Sequence, residues 1–154
     1  MALTALIAAS LLGAACGSSP ANNAPAAAAS SNSNSPRNNV EELGLLINEP
    51  YELDDLVFKD YPNQKRLIAV MRVSQADAAR LVTDATAFGQ PENVSIPTQG
   101  WFPDELIAQS QTSGDNMLRA QAFPANTFFQ EPYTTGRVTR VDGTDYFILD
   151  LAGK

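Results

Sequence analysis

The sequence of 154 residues contains no histidine and only one cysteine, which removes most of the side chains that catalyse reactions near neutral pH. Without histidine there is no Ser-His-Asp triad, no Cys-His pair and no histidine-ligated zinc. No glycine-rich phosphate-binding loop of the form GxxxxGK[ST] occurs either. Catalysis would have to depend on carboxylates, on a Ser–Lys pair or on tyrosine. We therefore expect a protein that is not an enzyme and that holds no cofactor and no metal.

Basic residues are also scarce. Ten Lys and Arg residues face 17 Asp and Glu residues, which gives a formal net charge of −7. Nucleic acid requires a basic surface to neutralise its phosphates, so this charge balance disfavours nucleic acid as a partner. It equally disfavours a domain that lies flat on anionic lipid headgroups.

The carboxylates that remain are not arranged as a recognisable site. The densest acidic stretch, residues 49–55, could offer oxygen ligands to calcium, but it lacks the spacing and the glycine of an EF-hand loop. A solvated turn is therefore the preferred interpretation. Asp104 and Glu105 follow Pro103, and adjacent helical residues diverge by about 100°. We expect these two acids to complement a helix dipole rather than to form an acid–base pair.

The single cysteine, Cys16, closes an apolar N-terminal segment that ends in Leu-Leu-Gly-Ala-Ala. A short apolar run that ends in small residues is typical of an export signal. With a cysteine directly after those small residues, residues 1–16 resemble a bacterial lipoprotein signal. The resemblance implies cleavage before Cys16, a diacylglycerol thioether on its sulfur and an acyl chain such as palmitate on its new amine. The alternative is an ordinary secretory signal, with Cys16 removed or left free.

The same resemblance implies a place in the cell. A lipid-anchored Cys16 would hold the protein in the cell envelope. The residue after it is Gly17, not the aspartate that favours retention in the inner membrane. In an organism with two membranes, the resemblance therefore implies the outer membrane, with the protein facing the periplasm.

Composition divides the chain into three parts. Residues 1–15 form the predicted signal peptide, and residues 16–39 form the lipidated cysteine and an Ala/Ser/Asn/Pro linker whose one charged residue is Arg37. The linker has no large apolar side chain, so it cannot bury enough surface to offset the entropy of ordering it. Residues 40–154 are long enough for one globular domain with one core.

The strongest local patterns in this domain predict a strand that leads into a helix. Residues 66–73 are β-branched and apolar on both faces, which indicates an interior strand covered on both sides. Ser74 is a typical helix N-cap, with Asp77 placed as in a capping box, and Gly89 ends the helix. Apolar residues recur at helical spacing between them, namely Ala78, Leu81, Val82, Ala85 and Phe88.

The rest of the domain predicts fewer elements. Residues 55–59 form a candidate strand, residues 103–111 a second short helix, and residues 112–136 a long loop. Asp142-Gly143 predicts a two-residue hairpin turn between strands 137–141 and 144–149. In that register Arg140 faces Asp145 and Val138 faces Phe147. The predicted fold is α+β: a small antiparallel sheet of about four strands with two helices packed mainly on one face.

Five aromatic residues are the candidate binding surface, because they cluster in sequence around the predicted loop: Trp101, Phe102, Phe128, Phe129 and Tyr133. Aromatic side chains dominate interfaces, and adaptable loops often carry binding. The alternative is that these residues anchor the loop onto the core.

These observations predict a membrane-tethered bacterial lipoprotein with a non-enzymatic domain that binds a protein or another envelope component. One alternative is an envelope hydrolase that uses a pair of carboxylates, one with a raised pKa. Another is a small acidic inhibitor or immunity-type protein. The residues of the domain itself, 40–154, resemble no family that would decide between them.

Overall fold

The computed structural model describes residues 35–154. The signal-like segment, Cys16 and the linker up to residue 34 lie outside the described residues. None of the helices in the described range combines the length and the hydropathy that crossing a bilayer requires. The elements follow in the order α1 (Val40–Gly44), β1 (Leu53–Tyr61), β2 (Arg66–Val73), α2 (Gln75–Thr86), β3 (Glu92–Pro97), α3 (Asp104–Thr112), β4 (Met117–Pro124), β5 (Tyr133–Val141) and β6 (Tyr146–Gly153).

The six strands form one antiparallel sheet in the order β1-β2-β6-β5-β4-β3. The prediction of about four strands is therefore wrong, although the fold remains a mixture of helix and strand. The two missed strands are β3 and β4. In β3 only Val94 and Ile96 are half-buried, and the other four residues of the strand are exposed. In β4 the inward positions include Ala120 and Ala122, whose small side chains give a weak periodic signal.

The helices lie on both faces of the sheet, so the prediction that they pack mainly on one face is also wrong. Alternate residues of β2 belong to two separate cores. One core lies on the face that α1 and α2 cover, the α2 face, and includes Leu67 and Leu81. The other lies on the face that α3 covers, the α3 face, and includes Ile68 and Leu106. Because β2 and β6 are apolar on both sides, each side requires its own cover.

The start of α2 confirms the sequence prediction. The Ser74 side chain accepts a hydrogen bond from the Asp77 backbone N–H at 3.3 Å. The reciprocal half of the capping box is absent, because the Asp77 carboxylate accepts from the Glu52 N–H at 2.8 Å instead. The helix ends at Thr86, and Phe88 lies beyond it with 56% of its surface exposed, so Phe88 is not part of the buried helix face.

The C-terminal hairpin forms, but its predicted register is wrong. The loop contains four residues instead of two, and Arg140 lies opposite Phe147 rather than Asp145. Val138 lies opposite Leu149 rather than Phe147. The shift is two residues, and side chains alternate with a period of two, so every side chain keeps its predicted face. What changes is which residues are neighbours across the two strands.

The chain joins the sheet before the predicted domain begins. The Arg37 backbone N–H donates to the Phe58 carbonyl at 2.8 Å, and the Phe58 N–H donates back at 2.7 Å. The Arg37 guanidinium lies 4.7 Å from the centroid of the Phe58 ring, and it is 3.5 Å from Glu42 and 3.9 Å from Asp60. The last residues of the predicted linker therefore cover part of the outer edge of β1.

Candidate functional site

The candidate site is a cleft of about 300 Å³ on the α3 face of the sheet. Helix α3 covers one end of this face, where Leu106 belongs to the same buried core as Val70. The other end carries exposed or half-exposed charged residues. The cleft lies between this end, strand β3 and the loop that precedes α3.

The floor of the cleft is apolar and rigid. Ile68, Ile148 and Phe102 each retain only 4% of their exposed surface, and Thr139 retains 2%. Thr139 and Ile148 are paired across β5 and β6, so they form a continuous surface. One wall is the edge strand β3, whose residues Val94–Pro97 line the cleft. Side chains that the sheet buries this fully hold their shape when a ligand arrives.

The rim of the cleft is positively charged. Arg66 binds Asp150 through two hydrogen bonds, Nε to Oδ1 at 2.9 Å and Nη2 to Oδ2 at 2.8 Å. These bonds raise the pKa of the Arg66 guanidinium. Arg137 lies opposite Asp150 on β5 and is exposed, yet it takes part in none of the ion pairs found within residues 35–154. Because Arg66 already engages Asp150, Arg137 contributes a net positive charge to the cleft.

The cleft has a spectroscopic reporter at its border. Gln99 lines the cleft, and its Oε1 accepts a hydrogen bond from Trp101 Nε1 at 2.7 Å. Trp101 also packs edge-on against Phe102, with 4.9 Å between ring centroids. Lys59 Nζ lies 5.9 Å from the centroid of the Trp101 ring. Since Trp101 is the only tryptophan of the chain, its fluorescence reports on this place alone.

The structure does not bring the five predicted aromatic residues together. Phe102 lines the cleft, and Trp101 borders it. Phe128 and Tyr133 are buried in the core of the α2 face, and Phe129 is half-buried against that core. The two groups lie on opposite faces because the segment predicted as one loop contains strand β4, which the sheet incorporates.

None of the polar residues that line the cleft is among the predicted site residues: Arg66, Ser95, Gln99, Arg137, Thr139 and Asp150. Alternation along the predicted strands could have placed Arg137 and Thr139 on one face. The predicted register set Arg137 opposite Ile148, however, and the observed register sets it opposite Asp150. Because the predicted register is wrong by two residues, it does not show that Arg137 and Asp150 are neighbours at the rim.

The acidic stretch 49–55 does not form a ligand set. Asp54 and Asp55 are exposed residues of β1, at an irregularity in its pairing with β2. Within residues 35–154 no group of three or more potential metal ligands was found.

The carboxyl group of Glu49 is partly buried and only half satisfied by hydrogen bonds. Its Oε1 accepts from the Tyr51 N–H at 3.0 Å, whereas its Oε2 is buried without a hydrogen-bond partner.

Burial raises the pKa of the Glu49 carboxyl above its ordinary value of 4.5, and the nearby Asp77 charge adds to the increase. The folded protein therefore holds this proton to higher pH than the unfolded chain does. Stability should fall as pH rises from 4.5 through the folded pKa, and it should stay lower above it. We expect Glu49→Gln, which keeps the acceptor for Tyr51, to become progressively more stable than the wild type over this range.

Urea denaturation midpoints between pH 4 and pH 7 measure this difference. Glu131→Gln is the matched control, because it removes the same charge at an exposed position. An advantage of Glu49→Gln that stays constant with pH, or that equals the effect of the control, contradicts the prediction.

The comparisons with known proteins give no match: no family model, no curated protein and no solved structure is significantly similar to this chain.

Proposed function

We propose that this chain is a bacterial lipoprotein, anchored to a membrane through Cys16, whose folded domain binds an envelope component in the cleft without covalent chemistry. One observation carries the binding role: an apolar floor with a charged rim in a cavity of about 300 Å³. Ligand sites are typically concave and mainly apolar, with a few polar groups that orient the ligand. The cleft is concave, with buried apolar side chains at its floor and polar groups at its rim.

The lining of the cleft favours binding over hydrolysis. A glycosidase requires two carboxyl groups about 5–10 Å apart in one cavity. Among the residues that line this cleft, Asp150 is the one acid, and Arg66 holds both of its oxygens. No lysine lines it, so a Ser–Lys pair finds no support there. The inhibitor or immunity-type alternative rests on size and acidity alone.

The anchor is supported by the run Leu-Leu-Gly-Ala-Ala before Cys16. A single acyl chain binds a membrane only marginally, whereas two or three chains on one residue anchor a protein stably. A domain anchored in this way stays close to the other components of the envelope, where its ligand would lie.

One experiment on the full chain in a bacterial host tests both parts. A photo-crosslinking amino acid replaces Val94, which is half-buried in the wall of the cleft. The matched control places it at Asn93, the next residue of β3, whose side chain points to the opposite face. We expect the protein in the membrane fraction, with a mass of residues 16–154 plus a diacylglycerol and an acyl chain. We expect an adduct with an envelope component at position 94 and little at position 93.

Each part has its own contrary result. An unmodified Cys16 in the mature protein, or no change in fractionation for Cys16→Ser, contradicts the anchor. Equal adducts at positions 93 and 94 contradict the cleft as the binding site, because a nonspecific surface contact would label both faces of the strand.

A further inference from the structure

We infer that the ligand of the cleft carries a carboxylate on an apolar body, and that Arg137 recognises this carboxylate. The inference rests on the proposed function, since it names the class of ligand that the same cleft would take. It depends on three observations: the state of the two rim arginines, the nature of the floor and the size of the cavity.

The two arginines have different roles. Arg66 is fixed in a two-point pair with Asp150, so it forms part of the wall. Arg137 is the arginine with donors to spare, because none of the ion pairs in the described part of the chain includes it. The Arg137 guanidinium is thus a positive charge without an ion-pair partner among residues 35–154, on a chain whose formal net charge is −7. It attracts an anion to this rim of the cleft.

The single free guanidinium of the rim favours a carboxylate, with one negative charge, over a phosphate dianion. A guanidinium presents a planar fork of N–H donors that matches the two oxygens of a carboxylate. One such fork is free at this rim, which suits a single negative charge. A phosphate dianion would usually attract several basic groups. Glu92 lines a second recess of about 210 Å³ that shares Arg137 with the cleft. That carboxylate lowers the affinity for an anion and limits how much charge the site accepts.

The floor and the volume describe the rest of the ligand. Ile68, Ile148 and Phe102 offer apolar contact, and each is buried by the fold itself. If each non-hydrogen atom takes about 30 Å³, as a water molecule does in the liquid, the cleft holds about ten such atoms. This size fits a small aromatic or branched acid, or the acidic end group of a larger envelope molecule.

The test uses two probes of equal shape, 3-phenylpropanoate and its neutral amide, 3-phenylpropanamide, with the full chain in detergent. Trp101 fluorescence and backbone NMR shifts of β3 and β5 report on binding. We expect the carboxylate to bind about tenfold more tightly than the amide, since hydrogen bonds to charged groups are the strong ones. Arg137→Gln should abolish this preference, and Arg137→Lys should restore part of it. Glu92→Gln should leave the preference intact or increase it.

Arg140→Gln is the matched control. It removes the same charge three residues further along β5, on the opposite face of the sheet. Like Arg137, Arg140 belongs to none of the ion pairs of residues 35–154. If both probes bind the cleft equally, and Arg137→Gln changes neither, the carboxylate inference is overturned while the cleft remains a binding site. If neither probe shifts the signals of Trp101 and β3, the proposed function fails as well. A preference that Arg140→Gln removes as fully as Arg137→Gln would show a general charge effect and also overturn the inference.

Discussion

Replacing Gly136 by alanine is expected to destabilise the protein by about 3 kcal/mol, because strand β6 leaves no space for a side chain there. A Cβ atom built on Gly136 would lie 2.2 Å from the Asp150 carbonyl oxygen and 2.9 Å from Leu151 Cα. Both are backbone atoms of the partner strand, which cannot rotate away. Gly136 also has a φ of +145°, a conformation that residues with a side chain rarely adopt. The free energy of unfolding in urea measures the effect.

Two other glycines separate the contributions of clash and of conformation. Gly143 has a φ of +74° but no atom within 4 Å of an added Cβ, so Gly143→Ala should cost about 1 kcal/mol through conformation alone. Gly44 has open space, and its φ lies outside the left-handed region, so Gly44→Ala should cause no loss. If Gly136→Ala is no less stable than Gly143→Ala, the expected clash between an added side chain and the backbone of β6 is contradicted.

Phe128→Ala is expected to have a comparable effect, about 3–5 kcal/mol, because it empties a site in the core of the α2 face. Phe128 retains 1% of its exposed surface, and its ring centroid lies 5.6 Å from that of Tyr51. Phe129→Ala is the matched control, since Phe129 is only half-buried at the border of that core. Its loss should be near 1 kcal/mol. Thermal and urea denaturation give both values.

This pair of variants decides between the two interpretations of the aromatic residues. A large loss for Phe128→Ala with a small loss for Phe129→Ala means that these residues anchor the chain on its core. Cooperative folding at almost unchanged stability in both variants, with lost capture of an envelope component, would support an aromatic binding surface instead.

The parts of the fold that the sequence predicts are those with strong local patterns. Strand β2, the Ser74 cap and helix α3 are confirmed because each depends on residues close together in the chain. Strand β3 was not predicted, because an edge strand with one solvated face contains few apolar residues. Strand β4 was not predicted, because its inward alanines give little contrast with its polar residues.

The cleft could not be predicted, for a topological reason. Its floor comes from β2, β5, β6 and the loop before α3, and its wall comes from β3. These strands meet because β6 enters between β2 and β5, a long-range pairing that no local pattern reveals. The predicted hairpin also does not reveal the rim of the cleft, because its register places Arg137 opposite Ile148 instead of Asp150. A correct loop length would have placed Arg137 beside Asp150 and drawn attention to the rim.

The mutual hydrogen bonds between Arg37 and Phe58 also have a mechanical consequence. They make β1 the strand through which the N-terminal segment enters the sheet, and β3, the wall of the cleft, is the opposite edge. Five strand spacings of about 4.8 Å separate these edges, roughly 24 Å. If Cys16 holds the protein to a membrane as proposed, tension on the tether acts first on the two hydrogen bonds between Arg37 and Phe58, and then on α1, before it reaches the pairing of β1 with β2. Strand β3, which forms the wall of the cleft at the opposite edge, would bear that load last.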